Sequence, residues 1–116
     1  MDIEDRKQIL GAVIRIIDHI SDKEYQKRVW IRGEGPEADA FDDTVCNFFG
    51  DADGVIDKYK DFPMTKEQYK VLKKFHDEFD VFADENDFPE LFIDTPEWAK
   101  IMESAQEVLK AFNYKK

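Results

Sequence analysis

Phe41 to Tyr59 reads FDDTVCNFFGDADGVIDKY, and two readings compete for it. As a calcium loop it would make the protein an ion sensor. As a continuous apolar seam it would be one helix of a bundle. An EF-hand loop carries acidic ligands at its positions 1, 3 and 5, glycine at 6, an aliphatic residue at 8 and a bidentate glutamate at 12. With Gly54 set at position 6, Asp51, Asp53 and Ile56 fall into place, but Phe49 stands at position 1 and Lys60 at position 12. Both anchoring ligands are missing and one is replaced by a cation, which leaves at most weak, nonspecific cation binding near Asp51 and Asp53. The apolar residues decide for the helix. Phe41, Val45, Phe48, Ala52, Val55, Tyr59 and Phe62 recur in steps of three and four, the spacing of one helical face. Within this segment, taken from Glu37 to Tyr59, Gly50 and Gly54 each cost a helix about 1 kcal/mol relative to alanine and mark a place for a kink.

The flanking sequence extends the same pattern. Ile9, Leu10, Val13, Ile14, Ile16, Ile17 and Ile20 give Ile3 to Ile20 a broad apolar face. Ser21 with Glu24 reads as a capping box, and Ile20 with Tyr25 as a hydrophobic staple, for a second helix from Asp22 to about Ile31. Arg32 to Pro36 carries two glycines and ends it. Thr65 with Gln68 is another capping box, with Met64 and Tyr69 as its staple, ahead of Leu72, Phe75, Phe79 and Phe82. Asp84 to Pro96 is a turn-rich crossing. Thr95 followed by Pro96 then starts a last helix striped by Trp98, Ile101, Met102, Ala105, Leu109 and Phe112. No alternating strand pattern and no repeat interrupts this series. The expected fold is all-α: residues 1–116 as a single-domain bundle of four to five helices, with Phe75, Phe79, Trp98 and Leu109 in the core.

Composition narrows the function classes. The 116 residues are 42% hydrophobic, enough for a real core, yet the formal net charge is −10. Such a charge repels nucleic acid and anionic membrane and attracts basic partners. The longest apolar run, Ile9 to Ile17, is broken by Arg15 and falls far short of the roughly 20 residues of a membrane helix. Cys46 is the single cysteine, so no internal disulfide forms, and a reducing, cytoplasmic location is expected. The acidic start MDIEDRKQIL lacks the basic region of a secretory signal.

Signals for catalysis are absent. Ile16 and Lys73 stand three residues before His19 and His76, where a di-iron bundle places glutamate. No Gly-x-Ser-x-Gly elbow occurs. Cys46, between Val45 and Asn47 beside the seam, reads as an inert core thiol. Gly33 and Gly35 are not followed by the lysine and hydroxyl residue of a phosphate loop. We therefore expect no enzyme, no catalytic residue, no metal ligand and no cofactor.

Charge distribution carries the information that motifs do not. Residues 34–57 hold eight acids and no lysine or arginine; residues 77–94 hold eight more, again without a basic residue. The rest of the chain carries 11 acids against 17 basic residues and is net positive. A solvated face, with aspartates favouring helix N-termini, is the bland account of such runs. An anionic docking surface is the sharper one, because like charges repel unless clustering gains something. On that account the partner-binding residues are Asp77, Glu78, Asp80, Asp84, Glu85, Asp87, Phe88 and Glu90, joined by Asp39, Asp42 and Asp43. Phe88 and Phe92 would flank the acids as surface anchors.

In overall character the chain resembles small acidic bacterial toxin-immunity proteins: short, helical, without catalytic motifs, and with clustered acids. The resemblance implies an inhibitor that binds and blocks a toxin, and a nuclease toxin must itself be basic to hold nucleic acid. The helical nuclease-colicin immunity proteins carry a tyrosine pair followed by proline near a short helix. DKYKDFP, Asp57 to Pro63, offers Tyr59, Phe62 and Pro63 at a different spacing, so no residue role is carried over. The function expected is a non-catalytic module that meets a basic protein partner, in an oligomeric state the sequence leaves open. Two other classes stay in view: a metal-dependent or carboxylate enzyme with its site inside the bundle near His19 or His76, and an oligomeric adaptor joined through the aromatic surplus.

Overall fold

A computed structural model describes residues 3–35 and 40–114. Its regular elements are all helical among these residues: α1 (Ile3–Ser21), α2 (Lys23–Tyr25) continued by a π-helix (Gln26–Ile31), α3 (Phe41–Asp57), a 3₁₀ turn (Tyr59–Asp61), α4 (Lys66–Glu85), α5 (Pro89–Phe92) and α6 (Pro96–Ala111). The all-α expectation holds, but the α-helices number six rather than four to five. The addition is α5, a single turn inside the turn-rich crossing, which Pro89 starts from the first helical position. The four long helices close a ring: α1 packs on α3 and α6, and α4 packs on the same two.

Local chemistry sets the helix ends. The Thr65 hydroxyl accepts from the Gln68 backbone N–H at 3.1 Å, while the Thr65 N–H donates to Gln68 Oε1 at 2.8 Å, so the capping box has both arms. Gln68 Nε2 also donates to the Ala111 carbonyl at 3.0 Å, tying the start of α4 to the end of α6. Thr95 Oγ1 accepts from Trp98 N–H at 3.2 Å and caps α6. The cap of α2 differs from expectation. Asp22, not Ser21, accepts the Tyr25 N–H, because Ser21 still belongs to α1 and its hydroxyl donates to the Asp18 carbonyl.

The second helical segment spans nearly the expected residues but winds as a π-helix from Gln26. Bonding from residue i to i+5 puts residues five apart on one face, and Tyr25 and Trp30 meet edge to face at 6.3 Å. Both are buried, as are Gln26 and Val29.

α3 runs without interruption through Gly50 and Gly54; the glycines with positive φ are Gly33 and Gly35, in the loop. The part of this segment at Glu37 to Asp39 lies outside the described residues. Phe41, Thr44, Phe48, Ala52 and Val55 form its buried face. Cys46 is exposed, contrary to the core thiol expected: it lies two positions from both Thr44 and Phe48, on the far side of the helix. Tyr59 and Phe62 leave the seam after the helix ends and are half-buried.

One cluster of buried side chains fills the ring, with Trp98, Phe75, Phe79 and Phe48 inaccessible to solvent. Trp98 lies 4.7 Å from Phe92, 5.2 Å from Phe82 and 6.1 Å from Phe41 and Trp30, between ring centres. Leu109 only borders this core. Trp98, Ile101, Ala105 and Val108 take the buried stripe of α6 in steps of 3, 4 and 3, and Leu109 is displaced one residue around it.

Candidate functional site

α3 and α4 run antiparallel. Tyr59 stacks on Tyr69 at 3.7 Å, Asp53 meets His76, and Phe49 stacks on Phe79 at 5.6 Å, so residue numbers fall along one helix as they rise along the other. This register carries the start of α3 to the end of α4. Phe92 of α5 joins them there, 4.9 Å from Phe41 and 5.0 Å from Phe82. Asp42 and Asp43 of α3, Asp84 and Glu85 of α4, Asp87 of the connection and Glu90 of α5 therefore gather at one end of the helix pair, and all six are exposed. Asp80, also exposed, lies one turn before Asp84 on α4. Among the described residues no lysine or arginine pairs with any of these seven. Asp39 lies outside the described residues.

Helix electrostatics divides this set. Asp42 and Asp43 occupy the first turn of α3, where the macrodipole welcomes negative charge. Asp84 and Glu85 close α4, whose last turn has no basic residue, and there the macrodipole opposes them. Dipole complementarity thus accounts for the first pair and not for the second.

Asp77 and Glu78, though exposed, are hydrogen-bonded within the chain. Lys73 Nζ donates to Asp77 Oδ2 at 2.8 Å, and His76 Nδ1 lies 3.0 Å from Asp77 Oδ1. The Lys73 hydrogen bond, then that of His76, hold the Asp77 carboxyl below the usual carboxylate range. Ser104 on α6 donates its hydroxyl proton to Glu78 Oε1 at 2.7 Å. Asp94 is likewise held low by Lys23, 2.8 Å away. Asp77 and Glu78 are thus exposed but hydrogen-bonded within the chain, whereas Asp80, Asp84, Glu85, Asp87, Glu90, Asp42 and Asp43 are exposed with no lysine or arginine partner among the described residues.

The apolar anchors also differ from expectation. Phe88 is 57% exposed, but Phe92 is 3% exposed and belongs to the core. Helix formation from Pro89 turns Phe92 inward against Trp98 while Phe88, before the helix, stays outside. Two apolar residues missed by sequence reasoning are exposed beside Phe88 in this stretch of the chain: Val81 at 60% and Leu91 at 75%. Val81 is legible in retrospect, since it falls off the stripe of Leu72, Phe75, Phe79 and Phe82. Leu91 is not, because a one-turn helix has too few residues to show a period.

The histidines sit elsewhere. His76 Nε2 lies 2.7 Å from Asp53 Oδ1, so both ring nitrogens face carboxylate oxygens, and its ring packs edge-on to Phe49. Both carboxylates are more than half exposed; no buried acid cluster surrounds this histidine. His19 stacks flat on Tyr25 at 3.9 Å. Among the described residues no three histidine, cysteine, aspartate or glutamate side chains are grouped to hold a metal ion. A cleft of about 410 Å³ opens between α1 and α3, lined by Arg6, Ile9, Gly50, Gly54, Lys58 and Phe62 among others, and none of the partner-binding candidates faces it. No described helix is long and apolar enough to cross a membrane. No family model, curated protein or solved structure matches the chain.

Proposed function

We propose that this protein is a non-catalytic binding module of the cytoplasm, an immunity or inhibitor protein that neutralises a basic toxin, with a nuclease domain as its favoured target. The observation that carries the reading is the end of the α3–α4 pair, where exposed carboxylates converge without a lysine or arginine partner among the described residues and two of them stand against the α4 macrodipole. Holding such charges together costs stability, and a positively charged macromolecule offsets that cost on landing. A field of one sign steers such a partner and speeds encounter. Asp77 and Glu78, exposed but hydrogen-bonded within the chain, add to this field.

The test is charge reversal with the bound partner in hand. Material captured from the native host supplies the partner, and Asp80→Lys/Asp84→Lys is compared with the wild type by surface-immobilised kinetics at two salt concentrations. The association rate is expected to fall by about tenfold or more in the variant, and the wild-type rate to fall with salt. Unchanged association in the variant removes the assignment of this surface.

A further inference from the structure

The short helix α5 is pinned from within. Pro89, Phe92 and Ile93 are buried, and the Phe92 ring contacts Phe41, Phe82 and Trp98. The segment is clamped on both sides: Asn86 Nδ2 donates to the Phe82 carbonyl at 3.0 Å, and Thr95 Oγ1 donates to the Phe92 carbonyl at 2.7 Å. From this fixed turn Phe88 and Leu91 project into solvent, with Val81 of α4 the third exposed apolar side chain of this stretch. Solvating these side chains contributes nothing to the fold, whereas presenting them rigidly lowers the ordering cost of an association.

We infer that α5 is a preformed apolar anchor, and that its occupant is a protein face in which an apolar stripe is edged by lysine or arginine. This inference rests on the reading of the acidic surface and adds the part that fixes affinity. Charge selects the occupant. Asp84, Glu85, Asp87 and Glu90 flank the anchor in the chain, so a second copy of this protein, itself at net charge −10, is repelled. An anionic lipid surface is repelled for the same reason. A basic amphipathic surface satisfies both the acids and the apolar side chains, with the hydrophobic contact at the centre and the charge at the rim.

Two synthetic probes separate the contributions: an amphipathic helical peptide of leucine and lysine, and an oligolysine of the same charge. Each is titrated into the full chain by fluorescence anisotropy. The leucine–lysine peptide is expected to bind at least about tenfold more tightly than oligolysine, since two large apolar side chains leave water. Phe88→Ala/Leu91→Ala should erase that margin and leave oligolysine binding unchanged. Leu91→Ser alone, at the most exposed of the three positions, should halve the margin or more and serves if the double variant does not fold. A margin that survives these substitutions, or no margin at all, overturns the role of α5. In that case weaker binding of both probes by Asp80→Lys/Asp84→Lys still upholds the acidic surface; indifference of both probes to charge reversal overturns the two readings together.

Discussion

The indole N–H of Trp98 donates to the side-chain oxygen of Gln26 across 2.9 Å, although the two stand 72 positions apart in the chain, and both side chains are fully buried. The amide nitrogen of the same glutamine donates to the Ile20 carbonyl at 2.8 Å and to the His19 carbonyl at 3.1 Å. One side chain thus ties the π-helical segment it sits in to the end of α1 and the first turn of α6. A buried donor or acceptor left without its partner costs about 1–3 kcal/mol. Gln26→Leu is therefore expected to lower the unfolding free energy by about 2–4 kcal/mol, measured by urea denaturation. A double-mutant cycle with Trp98→Phe should return a coupling of about 1 kcal/mol; no coupling would mean that the bond is replaced by water.

The acid side of stability follows from Asp77. Its folded carboxyl titrates below the usual range because Lys73 and His76 bond it. A lowered folded value contributes stability above the unfolded carboxylate value and loses it as pH falls through the folded one. Asp77→Asn is expected to be less stable than the wild type at pH 7, by under about 1 kcal/mol because the pair is open to solvent. The difference should shrink as pH falls below the unfolded carboxylate range and vanish once the folded carboxyl is protonated. Urea midpoints across that range check the sign; a gap that widens on acidification contradicts it.

The proposed function and stability pull in opposite directions at the end of α4. Glu85→Lys, in a last turn without any cation, is expected to raise the unfolding free energy by about 0.3–1 kcal/mol through the macrodipole alone. The gain should shrink in high salt. Thermal unfolding of this variant, set beside its association with a basic partner, should show a more stable protein that binds more slowly.

Gly50 and Gly54 stand in regular helix, and a Cβ added at either meets no atom within 4 Å. Neither a tight approach nor a left-handed conformation calls for glycine there. Gly50→Ala and Gly54→Ala are each expected to stabilise by about 0.5–1 kcal/mol. Loss of stability on either substitution would show that α3 is not regular at that position.

Much of this fold was legible in local chemistry. The seam from Phe41 to Val55 and the caps at Thr65 and Thr95 act over three or four residues, within reach of one helical turn, so spacing alone reveals them. The acidic surface was half legible: composition located the two acid-rich stretches, but Asp77 and Glu78 look no different in sequence from Asp80 and Asp84. Lys73 and Ser104, which engage them, reach them through the helical turn and the α4–α6 packing.

By itself the sequence determined the four long helices, the caps at Thr65 and Thr95 and the concentration of negative charge, because backbone hydrogen bonding and side-chain period are short-range. Tertiary packing alone decided that Phe92 turns in while Leu91 turns out and that the start of α3 meets the end of α4. Those outcomes depend on which aromatic surfaces bury one another across the ring around Trp98, and burial is a property of neighbours far apart in the chain.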